Sequence, residues 1–400
     1  MPRPAVEVGD IFRACGPKWR SQQQAHLHPE QYKVMSAIER CRTAELGGHL
    51  YQCVDCGDTQ IAYNSCRNRH CPKCQGSVAK RWLLARQSEL LPVDYYHVVF
   101  TIPDTLNVIA YQNKALIYKA LFQSVSQTLQ IIARDDRHLG AKLGAIMVLH
   151  TWGSALTHHP HIHCIVPGGG LSMNGEQWIA CKKGFFLPVR VLSRLFRRLF
   201  LEKMTQAFNN NKLKFYGKQV AMAQPNQFAQ LIESLGKKEW VVYAKRPFAG
   251  PKSVLAYLSR YTHRVAIANS RLLSHDEQGV TFKWKDYRLK GRTKYKTMTL
   301  TSDEFMRRFL IHILPKGFHR IRHIGILSNP VRKASLSNIR QLITKQSPET
   351  RVACAPSIEL PAINEPAHRP CKVCGADMTI IEFFLRGNEP RGPPVLRDAA

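Results

Sequence analysis

The chain has 400 residues, enough for two or three domains, and 44% of them are apolar, as in ordinary globular proteins. Its 58 Lys and Arg residues against 28 Asp and Glu give a formal net charge of +30, which favours a polyanionic partner, nucleic acid first, over an uncharged or cationic one. The start of the chain has no apolar segment typical of a signal peptide, and no stretch has the length of a membrane span. We therefore expect a cytoplasmic protein with no membrane partner.

Periodicity and turn residues predict a chain that mixes helices and strands. In chain order we expect a helix over 76–91, a strand over 95–103, mostly helix over 105–135, a hairpin of strands 144–153 and 159–167, a strand over 240–245, a helix over 251–263, strands over 280–284 and 293–300, and a helix over 302–314. Three glycines, Gly168–Gly170, end the second hairpin strand. From about residue 345 proline content rises and periodicity is lost, which predicts a loosely ordered tail.

Eight Cys and His residues crowd the segment 41–74. Two Cys-x-x-Cys pairs in it have the spacing of a zinc ribbon and predict one structural zinc ion, bound by Cys53, Cys56, Cys71 and Cys74. All four ligand positions would then be filled by protein, whereas a catalytic zinc keeps one position open. The remaining four members are Cys41, His49, Cys66 and His70. They either form a second zinc site or are incidental thiols and imidazoles.

A second, sparser group lies in the tail. It consists of His368, the pair Cys371-x-x-Cys374, and Cys354 some way upstream. One Cys-x-x-Cys pair is compatible with a metal knuckle and equally with two exposed thiols, so both interpretations stay open.

His161 and His163 flank one apolar residue in the predicted strand 159–167. Alternate side chains of a strand share a face, so the two imidazoles form part of a site for a divalent cation, here Mg²⁺ or Mn²⁺. A third ligand must come from elsewhere. His150 lies almost opposite in the predicted hairpin and is the first candidate, with His159 and His263 as alternatives.

Tyr257 and Tyr261 are four residues apart in a predicted helix, so both phenols would face one place. Arg260 and Arg264 repeat at the same interval and would hold phosphates there. Aromatic pairs with this spacing usually pack in cores. The cationic surroundings favour instead a pair of nucleophiles.

The segment 283–296 contains seven Lys or Arg residues, one Asp and three aromatic residues. Cations alternating with rings suit single-stranded nucleic acid, with phosphates on the charges and bases on the rings. The alternative is an edge strand protected by lysines. The DNA-contact candidates here are Lys283, Trp284, Lys285, Tyr287, Lys294, Tyr295 and Lys296.

Together these motifs resemble a known family, the two-tyrosine HUH transposases of rolling-circle insertion sequences of the IS91 type. The residues that carry the resemblance are the zinc region 41–74, HTWG at 150–153, HPHIHCIVPGGG at 159–170 and YLSRYTHRVAIAN at 257–269, and it covers about residues 10–330. The resemblance implies an α+β fold, in which a small zinc-ribbon-like domain precedes an HUH-nuclease core with a central antiparallel sheet flanked by helices. It also implies a metal ion on His161 and His163, nucleophiles at Tyr257 and Tyr261, and a zinc domain that recognises element ends.

The expected domains are a zinc-binding DNA-recognition domain over 1–92, a catalytic domain over 93–345 and a tail over 346–400. The expected reaction is metal-dependent cleavage and rejoining of single-stranded DNA through 5′-phosphotyrosine, in a bacterial, nucleoid-associated protein. Host helicase and replication proteins are expected partners, because the chain shows no helicase motif. The alternatives are a rolling-circle replication initiator or relaxase, and a non-catalytic zinc-dependent DNA-binding regulator.

Overall fold

The computed structural model describes residues 6–23, 26–87, 89–182, 186–245, 266–286, 295–346 and 369–388, and single residues at 184, 253, 289 and 390. Its helices are α1 Val8–Gln22, α2 Pro29–Glu39, α3 Pro72–Gln87, α4 Asn107–Gln112, α5 Lys114–Arg134, α6 Val189–Asn209, α7 Pro225–Lys237, α8 Ser302–Leu310 and α9 Arg332–Gln346. Its strands are β1 Gly48–Cys53, β2 Thr59–Tyr63, β3 Tyr95–Thr101, β4 Ala141–Lys142, β5 Gly144–Trp152, β6 His158–Pro167, β7 Gly169–Ser172, β8 Trp178–Ala180, β9 Val242–Lys245, β10 Leu272–Asp276, β11 Gly279–Lys285, β12 Tyr295–Leu300, β13 Ile321–Gly325 and β14 Met378–Phe384.

The chain forms two compact units, each assembled from separate segments. Unit 1 comprises Met1–Val78, His263–Ile313 and Glu359–Ala400, and unit 2 comprises Ala79–Thr262 and Leu314–Ile358. This division differs from the three consecutive segments expected from the sequence, because segments distant in the chain pair through strands. The functions assigned to 1–92, 93–345 and 346–400 stay predictions.

Unit 2 is built on a five-stranded antiparallel sheet with the strand order β13-β5-β6-β3-β9. The predicted hairpin is confirmed as β5 and β6, with His150 directly opposite His161 and an irregularity between His150 and Trp152. The β6 strand ends at Pro167 and Gly168 bends the chain into β7, as the glycine run predicts. The three-stranded sheet β4-β7-β8 also belongs to the described part of this unit.

The two faces of the five-stranded sheet have different neighbours. Ile162 and Cys164 of β6 are fully buried in the main core, together with side chains of α5 and α6 such as Phe196. Ile165 points to the opposite face, where it packs with Ile339 of α9. Each fully buried aliphatic side chain contributes about 1.5–3 kcal/mol of transfer free energy. Because strand side chains alternate, the odd-numbered histidines of β6 lie on the same face as Ile165.

Unit 1 contains two small antiparallel sheets, β14-β1-β2 and β10-β11-β12. Helix α8 covers the second sheet through Phe305, whose ring centroid is 6.0 Å from that of Phe282. Helix α8 also packs on α1 through Phe309 and Phe12, whose ring centroids are 5.3 Å apart. Both aromatic pairs are fully buried and anchor the core of this unit.

The prediction of a loosely ordered tail is wrong for residues 369–388. Strand β14 pairs with β1 along its length, from Gly48 opposite Phe384 to Cys53 opposite Met378. The segment MTIIEFF is rich in β-branched and aromatic residues, a local strand signal that the proline content of the surrounding tail obscured, and pairing with β1 orders it. Upstream of this segment, α9 continues to Gln346.

The expected fold class is confirmed as α+β, with an antiparallel sheet flanked by helices and a cysteine-rich N-terminal module. Helix α3 begins at Pro72 rather than at the predicted residue 76. It therefore starts directly after Cys71 and includes Cys74. The predicted helix over 251–263 lies, except for Ser253, outside the described residues. Across the part of the chain described, no helix combines the length and the apolarity needed to cross a membrane.

Candidate metal centres

Three imidazoles converge on one face of the five-stranded sheet. One ring nitrogen of each of His150, His161 and His163 lies within 4.8 Å of the others. The ring centroid of His150 is 5.4 Å from that of His161 and 4.3 Å from that of His163. His150 comes from β5 and the other two from β6, so the sheet register alone brings the three residues together. The predicted pair therefore has the predicted third neighbour.

Hydrogen bonds fix which ring nitrogens face the centre of this cluster. His161 Nδ1 lies 2.7 Å from the carbonyl oxygen of His159, to which only a protonated nitrogen can donate. His163 Nδ1 lies 2.7 Å from Nε2 of His97. In both rings Nδ1 is thus engaged, so a metal ion held by this cluster would be bound through Nε2. His159 supplies a backbone oxygen to this arrangement, and its imidazole is not part of the cluster; His263, the other alternative ligand, lies outside the described residues.

Burial keeps the imidazoles of His161 and His163 uncharged at neutral pH. It lowers the pKa of His161 to about 4, and it lowers the pKa of His163 well below the ordinary histidine range, with the neighbouring imidazoles adding to the effect. Neutral imidazoles are the form that binds metal ions. The cluster therefore places the uncharged rings of His161 and His163 beside the ring of His150.

His97 on β3 is a site residue that the sequence analysis missed. Its ring is buried and stacks on His163, with centroids 5.0 Å apart and an interplanar angle of 5°. Metal-bound histidines usually hold their second nitrogen with such a partner, which fixes the ring orientation and the tautomer. The available signal was a histidine inside the otherwise apolar run YYHVVF.

A second hydrogen-bonded group lies at the start of β6. His158 Nε2 accepts from the Tyr118 hydroxyl at 2.9 Å, and its Nδ1 lies 3.1 Å from the carbonyl oxygen of Asn107. Burial, with nearby Lys114, lowers the pKa of His158 to about 4. His158 therefore anchors the hairpin end to α4 and α5 as a neutral ring.

The structure corrects the predicted pairing of the cysteines. Cys71 and Cys74 group with Cys41 and Cys66, not with Cys53 and Cys56, and the four ligand atoms lie within 4.8 Å of one another. Cys74 Sγ is 3.5 Å from Cys41 Sγ and 3.6 Å from Cys66 Sγ. The physical reason is that Cys41 follows α2 and the other three surround the start of α3, a local arrangement that needs no contribution from β1.

Hydrogen bonds among these four thiols favour the thiolate at Cys41 and Cys74 and raise the pKa of Cys66 and Cys71. The thiols of Cys41, Cys66 and Cys71 hold the pKa of Cys74 far below its ordinary value, and Cys66 and Cys71 lower the pKa of Cys41 to about 7. Thiolates are the form of cysteine that binds zinc. Four sulfur donors complete a tetrahedral site and leave no open position.

Cys53 and Cys56 instead meet the tail pair Cys371 and Cys374, again with all four ligand atoms within 4.8 Å. Neither predicted histidine belongs to a described cluster. His49 lies on β1, its ring centroid 4.9 Å from that of Phe383, and His70 is buried with Nδ1 3.3 Å from Asn68 Oδ1. The other tail candidates, Cys354 and His368, lie outside the described residues.

The sheet β10-β11-β12 separates the predicted DNA-contact residues onto two faces. Lys285 pairs with Tyr295 and lies with its Nζ 5.7 Å from the centroid of that ring, which is 64% exposed. Lys283 shares this face. Trp284 lies on the opposite face beside Lys296, whose Nζ is 3.5 Å from a carboxylate oxygen of Asp286. The exposed face thus offers two lysines and one tyrosine.

The remaining predicted site residues lie outside the described part of the chain. They are Tyr257, Arg260, Tyr261, Arg264, Tyr287 and Lys294. Their roles stay predictions.

Comparison with known proteins identifies the family. A family profile described as "Putative transposase" matches residues 144–335, and one described as "Transposase zinc-binding domain" matches residues 11–102. The chain is 51% identical over 398 residues to "Putative transposase y4qJ" of Sinorhizobium fredii, with 98% of each chain covered. The chain belongs to the IS91-type transposase family.

A second relative is the transposase of a named insertion sequence. The transposase for insertion sequence element IS801 of Pseudomonas savastanoi pv. phaseolicola is 27% identical over 369 residues, covering 89% of this chain and 84% of that one. Among solved structures, conjugative relaxase TrwC in complex with oriT DNA matches at 14% identity with a TM-score of 0.26, over 51% of this chain and 85% of that one. The transposase zinc-binding profile includes the cluster Cys41, Cys66, Cys71 and Cys74, and the other profile includes all three clustered histidines.

Proposed function

We propose that this member of the IS91-type transposase family cleaves and rejoins single-stranded DNA with tyrosine nucleophiles beside a divalent cation. The observation that carries the proposal is the cluster of His150, His161 and His163, three imidazole donors on one sheet face. The buried, hydrogen-bonded setting of the rings fits a cation, since a metal would use the Nε2 atoms while Nδ1 keeps its partner. A Mg²⁺ or Mn²⁺ ion bound there would polarise the scissile phosphate.

The nucleophiles in this proposal are Tyr257 and Tyr261. The phenol oxygen bonds to phosphorus and the bond from phosphorus to the 3′ oxygen breaks. The phenol loses its proton and the departing 3′ oxygen gains one, which gives the free 3′-OH. The product is a 5′-phosphotyrosine ester, which conserves the bond for rejoining without ATP. A second tyrosine permits a second cut while the first strand is still held. Unwinding of the duplex would depend on host helicase and replication proteins.

The basic composition supports single-stranded DNA as the substrate. Lys283, Lys285 and the exposed ring of Tyr295 form a face with two charges for phosphates and one ring for base stacking. The zinc ion proposed for Cys41, Cys66, Cys71 and Cys74 would stabilise the N-terminal module, which we propose recognises the element ends.

The test is a covalent-adduct assay with single-stranded oligonucleotides from the ends of the element. Wild-type protein should form an adduct that resists SDS, and EDTA should abolish it. The Tyr257→Phe, Tyr261→Phe double variant should form none, whereas Tyr243→Phe, an exposed tyrosine on β9, serves as the matched control. An adduct from the double variant would show that the nucleophile is another group. Absence of any adduct with wild type would favour the non-catalytic DNA-binding alternative.

A further inference from the structure

Two turns that are far apart in the sequence of unit 1 have the same sequence pattern and the same backbone. Residues 53–57 read Cys-Val-Asp-Cys-Gly, and residues 371–375 read Cys-Lys-Val-Cys-Gly. In each turn the glycine N–H donates to the carbonyl of the first cysteine, at 3.2 Å for Gly57 and 3.0 Å for Gly375. Both glycines have positive φ, +72° and +82°. A Cβ would meet nothing within 4 Å at either, so the backbone conformation and not space requires glycine there.

The matching extends to the residue after each glycine. The N–H of Cys53 donates to the carbonyl of Asp58 at 2.8 Å, and the N–H of Cys371 donates to that of Ala376 at 2.7 Å. Two equivalent turns, each presenting two sulfurs, are how zinc knuckles close a tetrahedral site.

The β1–β14 pairing brings the two turns face to face. Cys374 Sγ lies 3.4 Å from Cys53 Sγ and 3.5 Å from Cys56 Sγ, and Cys371 Sγ lies 3.6 Å from Cys56 Sγ. Sulfurs around a tetrahedral zinc, with Zn–S of about 2.3 Å, are about 3.8 Å apart. Sulfurs in a disulfide are only about 2.05 Å apart. The observed separations match the metal geometry.

We propose that Cys53, Cys56, Cys371 and Cys374 bind a second zinc ion, and that this ion fastens the C-terminal strand β14 to the N-terminal module. The family profile of the zinc-binding domain ends at residue 102, so half of these ligands lie far outside it. With four sulfur donors the site is closed, and its role is structural. Both sides of the site belong to unit 1.

Weak apolar burial explains why β14 needs a metal ion. Among the described residues, the local hydrophobic cluster is small: Cys53, Cys371 and Met378 are buried, and Tyr51 and Ala376 pack against them. Phe384 is a buried aromatic residue of β14, but Phe383 and Leu385 are 71% and 78% exposed. Small segments with so little buried apolar area usually depend on a metal or a cross-link for their folding free energy.

The test combines zinc stoichiometry with cysteine alkylation of the full-length protein, read by mass spectrometry. Wild type should contain two zinc ions per chain, and the Cys371→Ser, Cys374→Ser variant should contain one. In that variant Cys53 and Cys56 should become reactive, although they are more than 300 positions away, while the Cys41 cluster stays protected. The matched control is Cys15→Ser, Cys181→Ser, which changes two half-buried cysteines outside the clusters and should keep two ions.

A second measurement uses wild type only and so does not depend on a folded variant. During slow removal of zinc by a chelator, Cys53, Cys56, Cys371 and Cys374 should become reactive together, as one set. One zinc ion in wild type would overturn the proposal. So would joint exposure of Cys53 and Cys56 with Cys71 and Cys74, or continued protection of Cys53 and Cys56 in the Cys371→Ser, Cys374→Ser variant.

Discussion

The hydrogen bond between His163 and His97 predicts that replacing His97 weakens metal binding, although His97 is not itself one of the clustered ligands. If His163 binds the cation through Nε2, its Nδ1 carries the proton and donates to His97 Nε2 at 2.7 Å. The substitution His97→Phe keeps an aromatic ring at this position but removes the acceptor. The Nδ1–H of His163 would then be buried without this partner, which costs about 1–3 kcal/mol. His97 is thus a positioning residue.

The expected magnitude for metal binding follows from this cost. Loss of a histidine's outer partner typically weakens metal affinity by about 10–100-fold, which corresponds to about 1.4–2.8 kcal/mol. We therefore expect His97→Phe to raise the Kd for Mn²⁺ by about one to two orders of magnitude. His97→Gln offers an amide oxygen as acceptor and should recover most of the affinity.

The assay is a titration with Mn²⁺, with the free ion followed by its electron paramagnetic resonance signal. His323→Phe is the matched control, because His323 lies on the same sheet in β13, where its Nε2 is 3.3 Å from an Arg86 nitrogen. A Kd unchanged in His97→Phe, with His163→Ala abolishing binding, would refute the proposed role of His97. Equal losses in His97→Phe and His97→Gln would show that packing and not the hydrogen bond matters.

Two further predictions concern pH and backbone packing. Because the pKa of His161 is lowered to about 4, Mn²⁺ binding should persist as pH falls through the ordinary histidine range near about 6.5, and fall only towards pH 4. Over the same range the unfolded chain gains protons that the folded chain does not, so the free energy of unfolding, measured with urea at each pH, should decrease; a pH-independent value would contradict this. Gly325→Ala would place a Cβ 1.8 Å from the Leu143 carbonyl oxygen at φ +58°, whereas Gly317→Ala, at φ +72°, meets nothing within 4 Å. Urea unfolding should show a loss of about 1–2 kcal/mol for Gly317→Ala and a clearly larger one for Gly325→Ala; equal losses would refute the steric argument.

The histidine cluster could be predicted because it depends on local rules. Strand alternation places His161 and His163 on one face, and a short connection restricts which residues of the preceding strand can lie opposite. His150 is indeed opposite His161. His97 could not be derived in the same way, because β3 precedes β6 by more than 60 positions, and the register between distant strands depends on packing across the whole sheet.

The cysteine pairing was predicted wrongly from the sequence for a related physical reason. Spacing identifies a Cys-x-x-Cys turn, but several such turns allow several pairings, and spacing alone favours near neighbours in the chain. Cys56 and Cys374 are 318 positions apart, yet the entropic cost of closing a loop grows only logarithmically with its length, so such a distance excludes nothing. The antiparallel pairing of β14 with β1 determines which cysteines meet, together with the small amount of apolar surface that β14 buries. The pattern Cys-x-x-Cys-Gly occurs at 53–57 and again at 371–375, and this repeat was the sequence signal that links the two segments. The positive φ of the glycine in each turn explains why both turns need it.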